Sequence, residues 1–157
     1  MNAQKQTEEF NLDALMTTLR HYAKEELHKC GKAHVEVETY PQSETETCWI
    51  AADHECLRQI FVILLDNAVK HTENGFIVFG YFISRYVETG TVKFYVDDTR
   101  SITETDDDTA AEDLTIARGL AAQMGGVLIE DPEAHIGHSF HFTLAGSVKL
   151  EPCVRAL

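Results

Sequence analysis

"LRQIFVILLDNAVKHT", Leu57 to Thr72, carries a clear helical period. Leu57, Ile60, Phe61, Leu64, Leu65 and Ala68 recur at three- and four-residue steps, so a helix would gather them on one face. Asp53 stands just ahead of the run as a side chain able to cap that helix, and "ENG" after Thr72 turns the chain. Near its end the run also holds Asn67 and Lys70, two polar residues within one turn of each other.

Working outward, the segment before this helix reads as helix, then strands. Asn11 is a good N-cap, and Phe10 is placed to staple against Leu15. Leu12, Leu15, Met16, Leu19, Ala23 and Leu27 form an apolar stripe that Gly31 can stop. "HVEVETY", His34 to Tyr40, alternates like a half-buried strand, and "CWIA" is a short strand beyond a polar loop. After the central helix, "FIVFGYFISRY" and "TVKFYV" joined by "VETG" read as an antiparallel hairpin, the first run interior because both its faces are apolar. Leu114, Ile116, Ala117, Leu120, Ala121 and Met124 predict a third helix ending at Gly125-Gly126, followed by strands in "VLIE" and "HSFHFTL". The expected division is a frayed or linking segment at 1–9, one domain over 10–145, and a tail at 146–157 without a clear period. The order predicts an α+β, two-layer sandwich, a mixed and mostly antiparallel sheet covered on one face by about three helices.

Composition narrows the function. The chain has 157 residues, 44% of them apolar, which suits one globular domain. Its net charge of −13 argues against a nucleic-acid partner, since phosphate binding needs a basic face, and against direct contact with an anionic membrane. No apolar window is long enough to span a bilayer, and the first residues lack a signal-peptide core, so the expected location is cytoplasmic. Cys30, Cys48, Cys56 and Cys153 are scattered and read as reduced thiols. His135, His138 and His141 repeat every third residue, but on a strand His138 and His141 face opposite sides, which makes a poor metal site.

The pieces also resemble a known family. "LRQIFVILLDNAVKHT" resembles the asparagine box of sensor histidine kinases, and "FYVDDT" the segment with the adenine-binding aspartate. "ARGLAAQMGG" resembles the helix after the second glycine box, and "GHSFHFTL" the closing strand. The resemblance spans about residues 10–145 in the family's order and implies the ATP-binding, GHKL-type domain of a two-component histidine kinase. It implies ATP and magnesium as cofactors. Asn67 matches the magnesium-ligating asparagine, Lys70 the lysine that faces the phosphates, Asp98 the adenine-binding aspartate and Thr99 its neighbour. An asparagine carbonyl is a hard oxygen ligand, and a carboxylate accepts from an exocyclic amine, so these residue types suit those tasks. The implied partners are the helical dimerisation domain that carries the phosphoacceptor histidine, or a response regulator.

The sequence departs from the family at the nucleotide site. Ile63 stands where many members have a second asparagine, four residues before Asn67. The first glycine box is Asp98-Thr99-Arg100-Ser101-Ile102, without glycine, and the second is Ala111-Glu112-Asp113-Leu114. Glycine there permits positive φ and close backbone approach, which Arg100 and Ile102 resist. Only about ten residues separate Ile102 from the third helix, where the family has a longer lid.

"TAAE", Thr109 to Glu112, matches a capping box, and six carboxylates lie between Glu104 and Asp113. Such acids at a helix N-terminus would hold the place that a phosphate takes in an active site. Each at about 6 Å would repel a unit of phosphate charge by roughly 1–3 kcal/mol at an effective dielectric of 20 to 80.

Two functions follow. One is a degenerate domain with weakened or lost ATP binding, acting as a docking or regulatory module of a phosphorelay. The other is a working ATP- and magnesium-binding catalytic domain that phosphorylates a histidine on a separate domain. Neither His21 nor His28 matches a phosphoacceptor motif, so the expectation is a piece of a longer kinase or a stand-alone remnant.

Overall fold

The Leu57–Thr72 stripe does form a helix, α2, His54–His71, capped by the Asp53 carboxylate, which accepts from the Cys56 amide. Its buried face is the expected six residues joined by Cys56, Asn67 and Val69. The computed structural model describes residues 7–41, 43–84, 91–100, 108–131, 137–145 and 147–153. Helix α1, Leu12–Lys29, starts at Asn11, whose side chain accepts from the Ala14 amide, and it buries the predicted stripe. Helix α3, Asp108–Gln123, contacts α2 on the side away from α1, so α2 lies in the middle of the helical layer.

The strands are β1 Thr7–Asn11, β2 Glu36–Thr39, β3 Glu46–Asp53, β4 Phe76–Ser84, β5 Thr91–Asp98, β6 Ile129–Asp131, β7 His138–Ala145 and β8 Ser147–Pro152. Five of them build the main sheet in the order β2-β4-β5-β7-β6, with β2 parallel to β4 and the other pairs antiparallel. Its inner face, Ile77, Phe79, Val92, Phe94, Val96, Phe140, Phe142 and Leu144, is buried under the helices. Phe61 of α2 meets Phe79, Phe94 and Phe142 at ring-centroid distances of 6.0, 5.8 and 6.3 Å. The α+β sandwich is therefore the one that the residue pattern predicts.

A second sheet, β1-β3-β8, was not expected. Residues 7–9, read from sequence as frayed, pair with β3 from Thr7↔Asp53 onward. Part of the 146–157 tail likewise pairs, as β8, on the other edge of β3. Both are polar segments that gain order from backbone pairing with a distant strand, which no local period reports. The "CWIA" strand is longer than predicted for the same reason, since β3 has a neighbour on each side. Asp13 ties this sheet to the main one, because its carboxylate accepts from the Cys48 amide at 2.9 Å and the Tyr81 hydroxyl at 2.5 Å.

Helix α3 begins earlier than the apolar stripe suggested, and Ile116, assigned to its core face, is 56% exposed. Ala117 and Ala121 are fully buried, and Leu114, Leu120 and Met124 pack at the edge of the core. The helix stops where predicted. The Gly125 amide donates to the Ala122 carbonyl and the Gly126 amide to the Ala121 carbonyl, with Gly125 at φ +85°.

The fold divides the four cysteines into two pairs by exposure: Cys30 and Cys153 are exposed, Cys48 and Cys56 buried, and none is in a disulfide. Burial, with the nearby Asp13 charge, pushes the Cys48 thiol up to about 11, and burial raises the Cys56 thiol as well. A thiol raised this way is almost wholly protonated at pH 8 and unreactive, because the thiolate is the nucleophile. Alkylation of the native protein at pH 8, followed by mass spectrometry, should label Cys30 and Cys153 and spare Cys48 and Cys56 until denaturant is added. Labelling of Cys48 at the rate of Cys30 in the native state would contradict the placement of β3 in the core.

Candidate functional site

Two of the residues singled out in the sequence meet at one end of the sandwich. Asn67 comes from the last turns of α2, where the helix dips into the core, and is 7% exposed. Asp98 closes β5 with its side chain on the inner face and is 1% exposed. The link between them is Arg100. Its Nε donates to both Asp98 carboxylate oxygens at 2.9 and 3.1 Å, and its Nη2 to Asp98 Oδ2 at 2.7 Å. The same Nη2 donates to the Asn67 carbonyl oxygen at 2.6 Å. The Arg100 backbone amide adds a further bond to Asp98 Oδ1 at 3.0 Å, a short Asx-type turn. The arginine side chain is only 11% exposed, so this is a buried, charge-assisted fork rather than a surface pair.

Thr99 faces the other way. Its hydroxyl accepts from the Phe76 amide at 3.1 Å and donates to the Asn74 carbonyl at 2.9 Å, tying the end of β5 to the start of β4. Lys70 stands on the exposed side of α2, and its carbonyl, with that of Val69, receives the Lys32 ammonium. Gly137 seals the back of the turn: at φ +127° it lies so close that an added Cβ would stand 2.4 Å from the Asp98 carbonyl oxygen. The conformation and the contact both require glycine there. Asn67 and Asp98 are thus brought together, while Lys70 and Thr99 serve other contacts.

The departures noted in the sequence resolve unequally. Ile63 packs against the core instead of facing a ligand. Glu112 and Asp113 are exposed, so these two acids do not fill the pocket mouth as the sequence suggested. Asp113 does act on α2: partial dehydration raises the Asp66 carboxyl, and the charges of Glu26 and Asp113 raise it further, against a hydrogen bond from Tyr22. The helix already includes Thr109, so the proposed capping threonine sits inside its first turn; its side chain, and residues 104–107 of the acidic run, lie outside the described residues. Among the described residues, the side chain seated between Asn67 and Asp98 is a cation, Arg100. Sequence reasoning noted Arg100 only as a missing glycine. The signal that could have found it is an acid two residues before an arginine at a strand end.

In this arrangement Arg100 holds the oxygens that ATP and magnesium would use. The Asn67 oxygen that would ligate the metal already accepts from a guanidinium, and a dication at about 5 Å from that charge would be repelled by roughly 2–7 kcal/mol at an effective dielectric of 80 to 20. The Asp98 oxygens that would receive a base amine are already bonded to Arg100.

A second cluster occupies β6 and β7. His138 Nε2 lies 2.6 Å from Glu130 Oε1, and Arg118 of α3 is 3.5 Å from the other Glu130 oxygen. His138 is buried and His141 half-buried, alternate positions of one strand, as expected. No group of three or more His, Cys, Asp or Glu side chains is arranged to hold a metal among the described residues. His135 lies outside them. Among the same residues, no helix is long and apolar enough to cross a membrane.

A three-helix layer thus lies on a mixed sheet, and an asparagine of the central helix meets an aspartate at a strand end through Arg100. Solved structures share this fold. The full-length ShkA structure in complex with AMPPNP matches with a TM-score of 0.72 at 24% identity, over 100% of this chain and 34% of that one. The histidine kinase AdeS of Acinetobacter baumannii matches with a TM-score of 0.71 at 15% identity, over 92% of this chain and 70% of its own. A nucleotide-free catalytic domain of the histidine kinase ThkA matches with a TM-score of 0.67 at 21% identity, over 90% of this chain and 98% of its own. This chain therefore spans about a third of full-length ShkA but nearly all of an isolated catalytic domain. No protein-family model and no curated protein matches the sequence. The fold is that of histidine-kinase catalytic domains.

Proposed function

We propose that the chain is a degenerate histidine-kinase-type ATP-binding domain that works as a docking or regulatory module in a two-component phosphorelay. Its partner on this reading is the dimerisation and phosphoacceptor domain or a response regulator. The observation that carries the reading is Arg100, whose guanidinium takes both the carboxylate and the asparagine oxygen that a nucleotide and its metal would need. The alternative is a working catalytic domain, which the AMPPNP bound in the ShkA structure favours by analogy of fold.

Titration of the protein with a ribose-labelled fluorescent ATP analogue and magnesium separates the two. The expected result is no saturable signal up to about 1 mM, equivalent to a binding free energy weaker than about 4 kcal/mol. Micromolar, magnesium-dependent binding that unlabelled ATP displaces would establish the working domain instead.

A further inference from the structure

The way the site is closed has a specific chemistry. A guanidinium on a carboxylate is a flat group presenting parallel N–H donors to two acceptor oxygens. The amino group of adenine brings one planar N–H donor of this kind. Arg100 therefore does more than fill space; it occupies the Asp98 oxygens that such a donor would need. Its Nη2 also places positive charge on Asn67 Oδ1, where a cation would otherwise sit.

We infer that Arg100 is a built-in ligand of this pocket, and that removing its guanidinium restores a site for a planar N–H-donating base, as in an adenine nucleotide. The inference rests on the closed-site reading above and extends it. On the bland view the pocket has lost its ligand through many substitutions and is beyond repair. On this view the acceptors remain in place and one side chain competes with external ligand. The competition is intramolecular, so Arg100 acts at an effective concentration of millimolar or more, wherever its short tether lets it reach. The tether here is two residues, and three of its side-chain bonds go to Asp98. Other features of the site support retention of shape. Asp98 is held from behind by the close approach of Gly137, and the end of β5 is pinned by Thr99 to β4 whether or not Arg100 is present.

The test compares wild type with R100A and R100Q, using the same labelled ATP analogue with and without magnesium, and adenosine as competitor. R100Q keeps most of the side-chain length but loses the charge and the fork. Folding of each variant is checked first by circular dichroism. The expected result is at least a tenfold gain in analogue affinity in one or both variants, reversed by adenosine and abolished when D98N is added. A folded variant with no gain overturns the inference but leaves the closed-site reading standing, because wild type would still fail to bind. Wild type binding as tightly as the variants overturns both.

Should neither variant fold, the wild-type protein still decides. The Arg100 Nε proton, followed by 15N NMR, should exchange slowly and sharpen as a distinct signal, and millimolar adenosine should perturb it. Exchange at the rate of a free arginine would show that the guanidinium is not seated on Asp98, which overturns the inference.

Discussion

D98N should lower the unfolding free energy by about 3–5 kcal/mol, the cost of removing one partner from a buried ion pair. Asp98 is almost completely buried and Arg100 nearly so. Neutralising the carboxylate leaves a guanidinium out of water with only neutral acceptors, the Asn67 amide oxygen and the carbonyl of the introduced side-chain amide. The penalty comes from the stranded charge, more than from the bonds lost, because an intact pair gains little over its own desolvation. Two comparisons isolate this cause. The exposed pair Lys149–Glu151 has its groups 2.7 Å apart, yet both side chains are about half exposed, so E151Q should leave the urea midpoint close to that of wild type. Combining D98N with R100Q removes both charges and should recover part of the loss, giving a coupling energy of order 2 kcal/mol in a double-mutant cycle. Urea denaturation at pH 7 measures wild type and each of these variants. A D98N value within about 1 kcal/mol of wild type would mean that Arg100 is hydrated and the pocket open.

That result bears on how the site could be read from sequence. Asn67 and Asp98 lie 31 positions apart (98 − 67), and nothing in their spacing says that they meet; only the resemblance to a known arrangement placed them together. Arg100 was visible as a departure, but the direction of a side chain is set by its surroundings and not by its identity. The acids illustrate the same gap from the other side. Their number suggested repulsion of a phosphate, yet Glu112 and Asp113 are solvated, and a charge count carries no orientation.

The helices were legible because their signals are local. A cap, a stripe and a terminating glycine all sit within one element, as Asp53 and Gly125 do. The small sheet was not, because β1 and β8 are polar edge strands whose order depends on β3 far along the chain. Ile116 fails for a related reason. The helix stripe was drawn one residue too wide: α3 buries Ala117 and Ala121, and Ile116, at the border of that face, is left in water.

The stretch that decided the fold also carries a large packing term, which F61A tests. Phe61 is fully buried and faces three sheet phenylalanines from three different strands. Phe94 and Phe142 stack on each other at 5.0 Å, so the ring of Phe61 closes a cluster that cannot slide in to fill a gap. Truncation to alanine removes the transfer free energy of the ring and leaves a cavity that the pleated sheet, held by backbone bonds, collapses into poorly. The expected loss is about 3–5 kcal/mol, read from the urea midpoint at unchanged slope. F82A provides the contrast. Phe82 lies on the outer face of β4, more than half exposed and stacked on Tyr95 at 4.9 Å, so its loss should be about 1 kcal/mol. If the two truncations cost the same, the helical layer does not rest on the face of the sheet that carries Phe79, Phe94 and Phe142, and the pocket formed at its end loses its frame. A large difference fixes the seat of α2, and with it the depth at which Asn67 meets Arg100.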